Sequence, residues 1–497
     1  MGYSITSLSR YDEMTSINIP RDLYLIPSEE DENYILYRPS KHLIALLSSK
    51  NTSNLAILIQ DIHNDKLAPS MLRSKSIISL VNMGFLDSQS NNHKSREIKT
   101  KDSDKPIKQK YNACSFSPHE VTLDITKKCN MRCIYCYSCG GDEITTLSRE
   151  CGQVAIDFCV SNAKRKGVFF GLHFHGSGEP SQEFTLLRSF HDYAKRECGR
   201  NSINFKCSVI TNGLISSEII DFYAKNMDEI TLSLDGDKNS HNKQRPSSDG
   251  SPTFVHVYRT GKQLLNLKKK FNIRVTVTAL NVDRLENIVE FLISEFPGCT
   301  INIEPVTLVG RAQGKEDLAC NPTLFADHLF NSMKIAMKSK ATLFYSGVSG
   351  HSQRKEFCAA STPSFCVCPN GDVTSCFSYS NRDIVKDMFI YGKYNENKKK
   401  FQFDSKKIKR LQTLTLEHDA YCNSCFCRSH CIGDCPAIRK FELNKSSEFI
   451  EKIDVDFMLN RRCATNRRIV QLLLNDIVRG RLDCKPLLFE DNIRLYP

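Results

Sequence analysis

The sequence predicts an α/β protein: a partial (β/α)6 barrel, with a winged-helix-like module before it and a cysteine-organised domain after it. Three observations lead there. Short β-branched segments alternate with longer helical periodicities from Glu120 to Val306. The residues ahead of them stand apart behind a polar stretch. From Cys358 to Cys463 regular periodicity gives way to closely spaced cysteines with Gly and Pro.

The chain has 497 residues, more than one hydrophobic core usually organises, so several domains are expected. No stretch of about 18 apolar residues occurs, and the polar segment Met1–Pro20 lacks the apolar centre of a signal peptide. A cytoplasmic protein without membrane contact is expected. In such a chain 22 cysteines argue for metal binding over disulfides, because the cytosol keeps thiols reduced. The formal charge of +12 is dispersed, and runs such as Lys268–Lys270 and Lys398–Lys400 read as solvated faces. A nucleic acid partner is therefore disfavoured.

Residues 1–88 hold the first module. An extended pair is expected around Tyr24–Ile26 and Tyr34–Tyr37, followed by apolar helical patterns at Leu55–Ile62 and Met71–Met83, an arrangement that looks like a winged helix. Ser88–Lys110 is rich in Ser, Asn, Lys and Asp, the composition of a linker, which we extend over 89–117.

Over 118–320, six strands are expected: Val121–Ile125, Val168–His175, Cys207–Ile210, Glu229–Leu234, Arg274–Leu280 and Thr300–Val306. Strands alternating with helices specify parallel pairing with crossovers, hence a TIM-like partial barrel whose chemistry gathers at the C-terminal strand ends. The conspicuous motifs lie there: a cysteine triplet after the first strand, His175–Pro180 after the second, Thr211–Gly213 after the third and Ser233–Gly236 after the fourth. The cysteine-rich domain takes 321–470, and 471–497 reads as a C-terminal tail.

Cys129, Cys133 and Cys136 are spaced C-x3-C-x2-C. Three thiolates on a cubane of four irons leave one iron open to an exogenous ligand, as electron delivery into a bound substrate requires. The other reading is a zinc site with Cys139 as fourth ligand. The triplet, with the aromatic Tyr135 before its last cysteine, resembles the cluster motif of the radical S-adenosylmethionine (SAM) superfamily. That resemblance implies that Cys129, Cys133 and Cys136 hold a 4Fe-4S cluster. Its open iron would bind SAM and cleave it to a 5'-deoxyadenosyl radical.

Ser177-Gly178-Glu179-Pro180 looks like the superfamily's Gly-Gly-Glu-Pro motif, with Ser177 replacing the first glycine, and implies that Glu179 holds the SAM amino group. Ser233-Leu234-Asp235-Gly236, with His241 and Arg245-Pro246, resembles a signature of the peptide-modifying branch. It implies ribose contacts from Ser233 and Asp235, and a carboxylate contact from Arg245, whose guanidinium suits bidentate binding.

Further on, Cys358, Gly371, Cys376, Cys422, Cys425, Cys431, Cys435 and Cys463 follow C-x12-G-x4-C, C-x2-C-x5-C-x3-C, C. This array resembles the SPASM domain, which carries two auxiliary 4Fe-4S clusters. The resemblance implies one cluster on Cys422, Cys425, Cys431 and Cys463, and another on Cys358, Cys376 and Cys435. Cys366 or Cys368, on one face of a strand, would complete the second, and we take Cys366. Zinc is the alternative that C-x2-C spacing alone allows.

SPASM-bearing members commonly modify peptides or proteins, and the first module is similar to the element with which maturases of ribosomally made peptides capture a leader. The resemblance thus implies a precursor-peptide partner, with a flavodoxin or ferredoxin as electron donor. The reaction would be oxidoreductase-type hydrogen abstraction, ending in a cross-link, thioether or epimer. A sulfatase-type protein maturase is the second enzyme reading. That family places Asp after the cysteine of the G-x4-C element, where this chain has Phe377. A zinc-stabilised binding protein is the non-catalytic alternative.

Overall fold

In a β-strand successive side chains face opposite ways, so the central sheet can be apolar on one side and polar on the other. The computed structural model describes residues 14–18, 20, 22–48, 75–90, 116–349, 356–377, 388–414, 422, 425–437, 461–481 and 494–496. The helical pattern expected at Leu55–Ile62 and most of the expected linker lie outside these residues.

Six parallel strands answer the six expected ones: β6 Glu120–Leu123, β7 Phe170–Phe174, β8 Phe205–Thr211, β9 Glu229–Ser233, β10 Asn272–Val277 and β11 Thr300–Pro305. Their outer face, including Val121, Leu172, Val209, Leu232, Val275 and Ile303, is at most 1% exposed. The inner face carries Thr122, His173, Ser208, Ser233, Arg274 and Asn302, all at least partly accessible. The barrel interior is polar, and the apolar core lies between strands and helices.

The crossover helices are Arg149–Lys166, Phe184–Arg200, Ser217–Asn226, Phe254–Asn266 and Leu285–Glu295. The first shows why they stop and start where they do. Ser148 caps its N-terminus by accepting from the Cys151 N–H, and Gly167 ends it in the left-handed conformation at φ 66°.

The sheet continues at both edges beyond the six. Helix Pro322–Lys338 leads into β12 Thr342–Phe344, parallel to β11. On the other side β13 Cys366–Val367 runs parallel to β6 and opens the antiparallel series β14 Asp372–Thr374, β15 Ile390–Asn395 and β16 Lys400–Phe403. The 11-stranded sheet thus crosses from the barrel into the cysteine-rich region.

The first module contains the antiparallel strands β2 Tyr24–Pro27, β3 Tyr34–Arg38 and β4 Leu43–Leu47, the helix Lys75–Met83, and the pair β1 Met14–Asn18 with β5 Asp87–Ser90. Local sequence presents it as independent, but the structure fastens it to the cysteine-rich region. The Tyr37 hydroxyl lies 2.7 Å from His430 Nε2, and the two rings stack. Arg479 pairs with Asp31 at 2.7 Å, Arg481 pairs with Glu30, and Gln471 donates to the Pro27 carbonyl at 2.9 Å.

The helix Arg461–Val478 runs through the expected boundary at 470/471, so residues 471–478 are not tail. Its stripe Ile469, Val470, Leu473, Leu474 and Ile477 is buried, an apolar spacing that one helix face needs for packing. Arg494–Tyr496 forms the last strand, β17, beside β4.

Candidate active site

The loop after β6 carries the first three candidate thiols, all partly buried. Backbone donors point at two of them: Met131 N–H at Cys129 Sγ (3.4 Å) and Gly140 N–H at Cys136 Sγ (3.3 Å). The Asn212 amide reaches Cys129 Sγ at 3.7 Å. Burial, then the Glu179 carboxylate, pushes the Cys129 thiol up to about 12. Burial also pushes Cys133 up, to about 11, against the pull of Arg245. Such thiols are neutral until a cation compensates the thiolate.

Two arginines hold the loop's carbonyls. Arg132 donates to the carbonyls of Cys129 (2.9 Å) and Gly141 (2.8 Å). Arg311, just after β11, donates to the carbonyls of Cys133 (3.0 Å) and Gly140 (3.1 Å) and pairs with Asp142. Cys139 turns the chain with φ 53°.

After β7, Ser177 accounts for its own departure from glycine. Its hydroxyl donates to Asp124 at 2.6 Å and its N–H donates to the same carboxylate at 2.9 Å. The serine is thus bound back to β6. A Cβ on Gly178 would stand 2.3 Å from the Thr126 carbonyl and 2.4 Å from that of Lys128, so this strand end packs directly on the cysteine loop.

The Glu179 carboxylate is 2% exposed and accepts from Ser181 N–H (3.1 Å), Thr211 Oγ1 (2.9 Å) and Asn212 N–H (2.7 Å). Three bonds leave acceptor capacity unused on Oε2. Burial raises the carboxyl above its ordinary range, and it has no ion-pair partner among the described residues.

At the end of β9, Asp235 is fully buried, accepting from Thr276 N–H (3.0 Å), Gln244 (3.1 Å) and the Tyr135 hydroxyl (2.5 Å). Arg245 donates to that hydroxyl at 2.7 Å, and its Nε is buried without a partner among the described residues. His241, kept neutral by burial, accepts from the Asp235 N–H. Ser233 stays partly open on the barrel's inner face. Tyr135, Asp235 and Arg245 therefore form one unit beside Cys133.

In the cysteine-rich region Cys422, Cys425, Cys431 and Cys463 line a single cavity with Arg467. Cys427 joins them, a residue the sequence reading left unassigned although Cys425-Phe426-Cys427 is itself a close pair. A hydrogen bond from Cys427 lowers the Cys425 thiol to about 6. Cys366 is buried on β13, and burial, with Cys376 nearby as a smaller contribution, pushes its thiol up. Burial likewise raises the Cys358 thiol, with Asp434, beside Cys435, contributing less.

Among the described residues no three of His, Cys, Asp and Glu gather around the position of a single metal ion. The first site nevertheless fits a cluster with SAM. It combines three loop thiols, a buried carboxylate with unused acceptor capacity, and a buried guanidinium nitrogen without a partner among the described residues. Asp124, Gln244 and Arg311, missed by sequence reading, act through contacts distant in sequence, while Asn212 lies in the Thr211–Gly213 motif, which was given no role there.

Residues 123–292 match the Radical SAM superfamily. A cysteine-type anaerobic sulfatase-maturating enzyme of Clostridium novyi is 24% identical over 338 residues, 62% of this chain and 85% of that protein. An uncharacterised protein of Methanocaldococcus jannaschii is 27% identical over 177 residues, 35% of this chain and 58% of its own length. The solved structure of native anSMEcpe with bound AdoMet superposes with a TM-score of 0.55 at 17% identity, covering 73% of this chain and 98% of that one. Enzymes of this superfamily use a 4Fe-4S cluster and SAM. With the match at residues 123–292 and the cysteine loop at the barrel's mouth, this chain carries a radical SAM domain.

Proposed function

We propose that the enzyme removes a hydrogen atom from a residue of a ribosomally made precursor peptide whose leader docks on the N-terminal module, yielding a cross-link, thioether or epimer. The observation that carries this reading is the module's attachment: Tyr37 bonds to His430, next to Cys431, so a peptide held there starts beside the cysteine-rich domain. When bound, the cluster and SAM together supply a 5'-deoxyadenosyl radical that abstracts the hydrogen.

In this reading Cys129, Cys133 and Cys136 hold the cluster. Glu179 would offer its free acceptor site to the SAM ammonium, and Arg245, whose Nε is buried without a hydrogen-bond partner among the described residues, would bind the carboxylate. Tyr135 is a positioning residue, since its hydroxyl couples Arg245 to Asp235. Ser177 keeps the approach narrow because Asp124 holds it, and Ser233 is left to meet the ribose. Cys422, Cys425, Cys431 and Cys463 hold one auxiliary cluster, and Cys358, Cys366, Cys376 and Cys435 the other. The polar inner face of the barrel receives the peptide.

A second reading, oxidation of a Cys or Ser in a sulfatase-type protein, is favoured by the Clostridium novyi relative's activity. Against it stands Phe377, whose ring lies 4.4 Å from that of His175 where that family has a carboxylate base.

The test is anaerobic incubation of the reconstituted enzyme with SAM, reductant and a short peptide encoded beside its gene, with a sulfatase-derived peptide in parallel. Deoxyadenosine with loss of two hydrogens from the neighbouring peptide means a cross-link, and unchanged mass with deuterium gained from D2O means an epimer. Modification of the sulfatase peptide alone overturns the first reading in favour of the second. The Cys129, Cys133 and Cys136 triple alanine variant should make no deoxyadenosine in either arm.

A further inference from the structure

Arg274 faces into the barrel from β10. The parallel register sets it beside Ser233 of β9 on one side and Asn302 of β11 on the other. It is exposed there, while Ile273 and Val275, which face the opposite way, are fully buried. Among the described residues its guanidinium has neither a hydrogen bond nor an ion pair. The barrel's carboxylates are engaged elsewhere: Glu120 with His173 at 3.0 Å, Asp124 with Ser177 at 2.6 Å and Glu304 with Arg462 at 3.0 Å.

His175, directly after β7, is a second group left open. Its ring nitrogens have no hydrogen-bond partner among the described residues, and the Phe377 ring covers it at 4.4 Å. Burial keeps the imidazole neutral, the nearby Arg274 charge adds to that effect, and its pKa falls to about 3. A neutral imidazole offers one N–H donor. The neighbouring Tyr137 hydroxyl is already spent on the Gly176 carbonyl at 2.6 Å.

We propose that Arg274, with His175 as a second donor, forms a carboxylate-binding subsite inside the barrel that selects substrates carrying an acidic group. The proposal rests on reading the substrate as a peptide. A planar guanidinium offers two parallel donors to a carboxylate. One cation beside a neutral imidazole matches one negative charge, whereas a phosphate dianion would keep a charge unpaired. Phe377 shields His175 from water and brings no charge of its own, so a carboxylate held there is bound more strongly than in open solvent. The acid is an Asp or Glu side chain or the peptide's own C-terminus. Ser233 is one strand away, so an acid on Arg274 anchors the peptide beside the proposed SAM site.

The test is anaerobic titration calorimetry on the cluster-reconstituted, SAM-loaded full chain. The probes are acetyl-Ala-Gly-Glu-Gly-Ala-amide, its Gln counterpart, and that Gln peptide with a free C-terminal carboxylate. The wild type should prefer one of the two acidic probes to the neutral one by about 10- to 100-fold, the range of a hydrogen bond to a charged group. Which acidic probe wins identifies side chain or chain end. Arg274→Gln should abolish the preference, and Arg274→Lys should keep part of it, since an ammonium retains the charge but not the fork. His175→Phe should cut it at least about threefold. Each readout is a ratio of two peptides on one protein, so a smaller folded fraction cancels. Equal affinities on the wild type, or an unchanged preference in Arg274→Gln or His175→Phe, overturns the two-residue subsite. So does a tenfold loss of SAM affinity in Arg274→Gln, which would give the guanidinium to SAM.

Propionate, a carboxylate without a peptide bond, separates this proposal from the peptide reading. Peptides that bind regardless of their acid and of Arg274 sink the subsite and leave the peptide reading standing. Propionate that binds only where Arg274 is present, while no peptide binds, leaves the subsite standing and removes the peptide reading. Binding of neither propionate nor any peptide overturns the subsite.

Discussion

Ser177 shows how a departure from a family pattern is absorbed one side chain at a time. A serine in place of glycine adds a hydroxyl at a crowded strand end, and Asp124 takes both that hydroxyl and the Ser177 N–H. Asp124→Ala would leave two buried donors without an acceptor, at about 1–3 kcal/mol for each such group. We expect deoxyadenosine formation to fall at least about tenfold, as for loss of a positioning contact, with iron content unchanged. Iron assay and product quantification measure the two, and a wild-type rate in the variant would refute the role given to Asp124. Ser177 was legible as a departure in the sequence. Its partner was not, because the two residues are 53 positions apart.

Among the elements, helix Arg461–Val478 ties barrel, cysteine-rich region and first module together. Arg462 is buried and fork-shaped: Nε binds Asp434 at 2.9 Å, one terminal nitrogen binds Glu304 at 3.0 Å, and the other binds Ser346 at 2.9 Å. Removing one partner of a buried ionic network leaves the others uncompensated. Arg462→Ala should therefore destabilise the protein by about 3–5 kcal/mol, measured by anaerobic denaturant unfolding. Arg462→Lys should restore little, because a single ammonium cannot reach three acceptors in the fork's plane. Destabilisation below about 1 kcal/mol, the level of a surface ion pair, would show the network to be dispensable. The helix's apolar stripe was readable in principle from Ile469, Val470, Leu473 and Leu474. Dense cysteines upstream obscured it, and the segment read as tail.

For the whole molecule, the first module is part of the body that carries the cysteines. Deleting residues 1–90 removes Tyr37 from His430 and Asp31 from Arg479, and strips the sheet that β17 joins. The full chain should carry on the order of 12 irons as three clusters. The deletion should lose about four of them, one cluster's worth, by colorimetric iron analysis. Full iron content with undiminished SAM cleavage would show the module to be separable, as its local sequence suggests. No helix among the described residues is long and apolar enough to cross a membrane.

The sequence by itself determined the strand and helix alternation, the cysteine spacings and the strand-end position of Glu179, since these depend on neighbours a few residues apart. Period-two and helical periodicities follow from backbone geometry and survive in any globular context. Only the tertiary structure decided which distant groups meet. Tyr135, Asp235 and Arg245 converge across more than 100 positions, β13 runs beside β6, and Arg494–Tyr496 closes the sheet that begins at Tyr24. Those pairings come from packing whole elements and satisfying buried polar groups, terms that no local window of sequence contains.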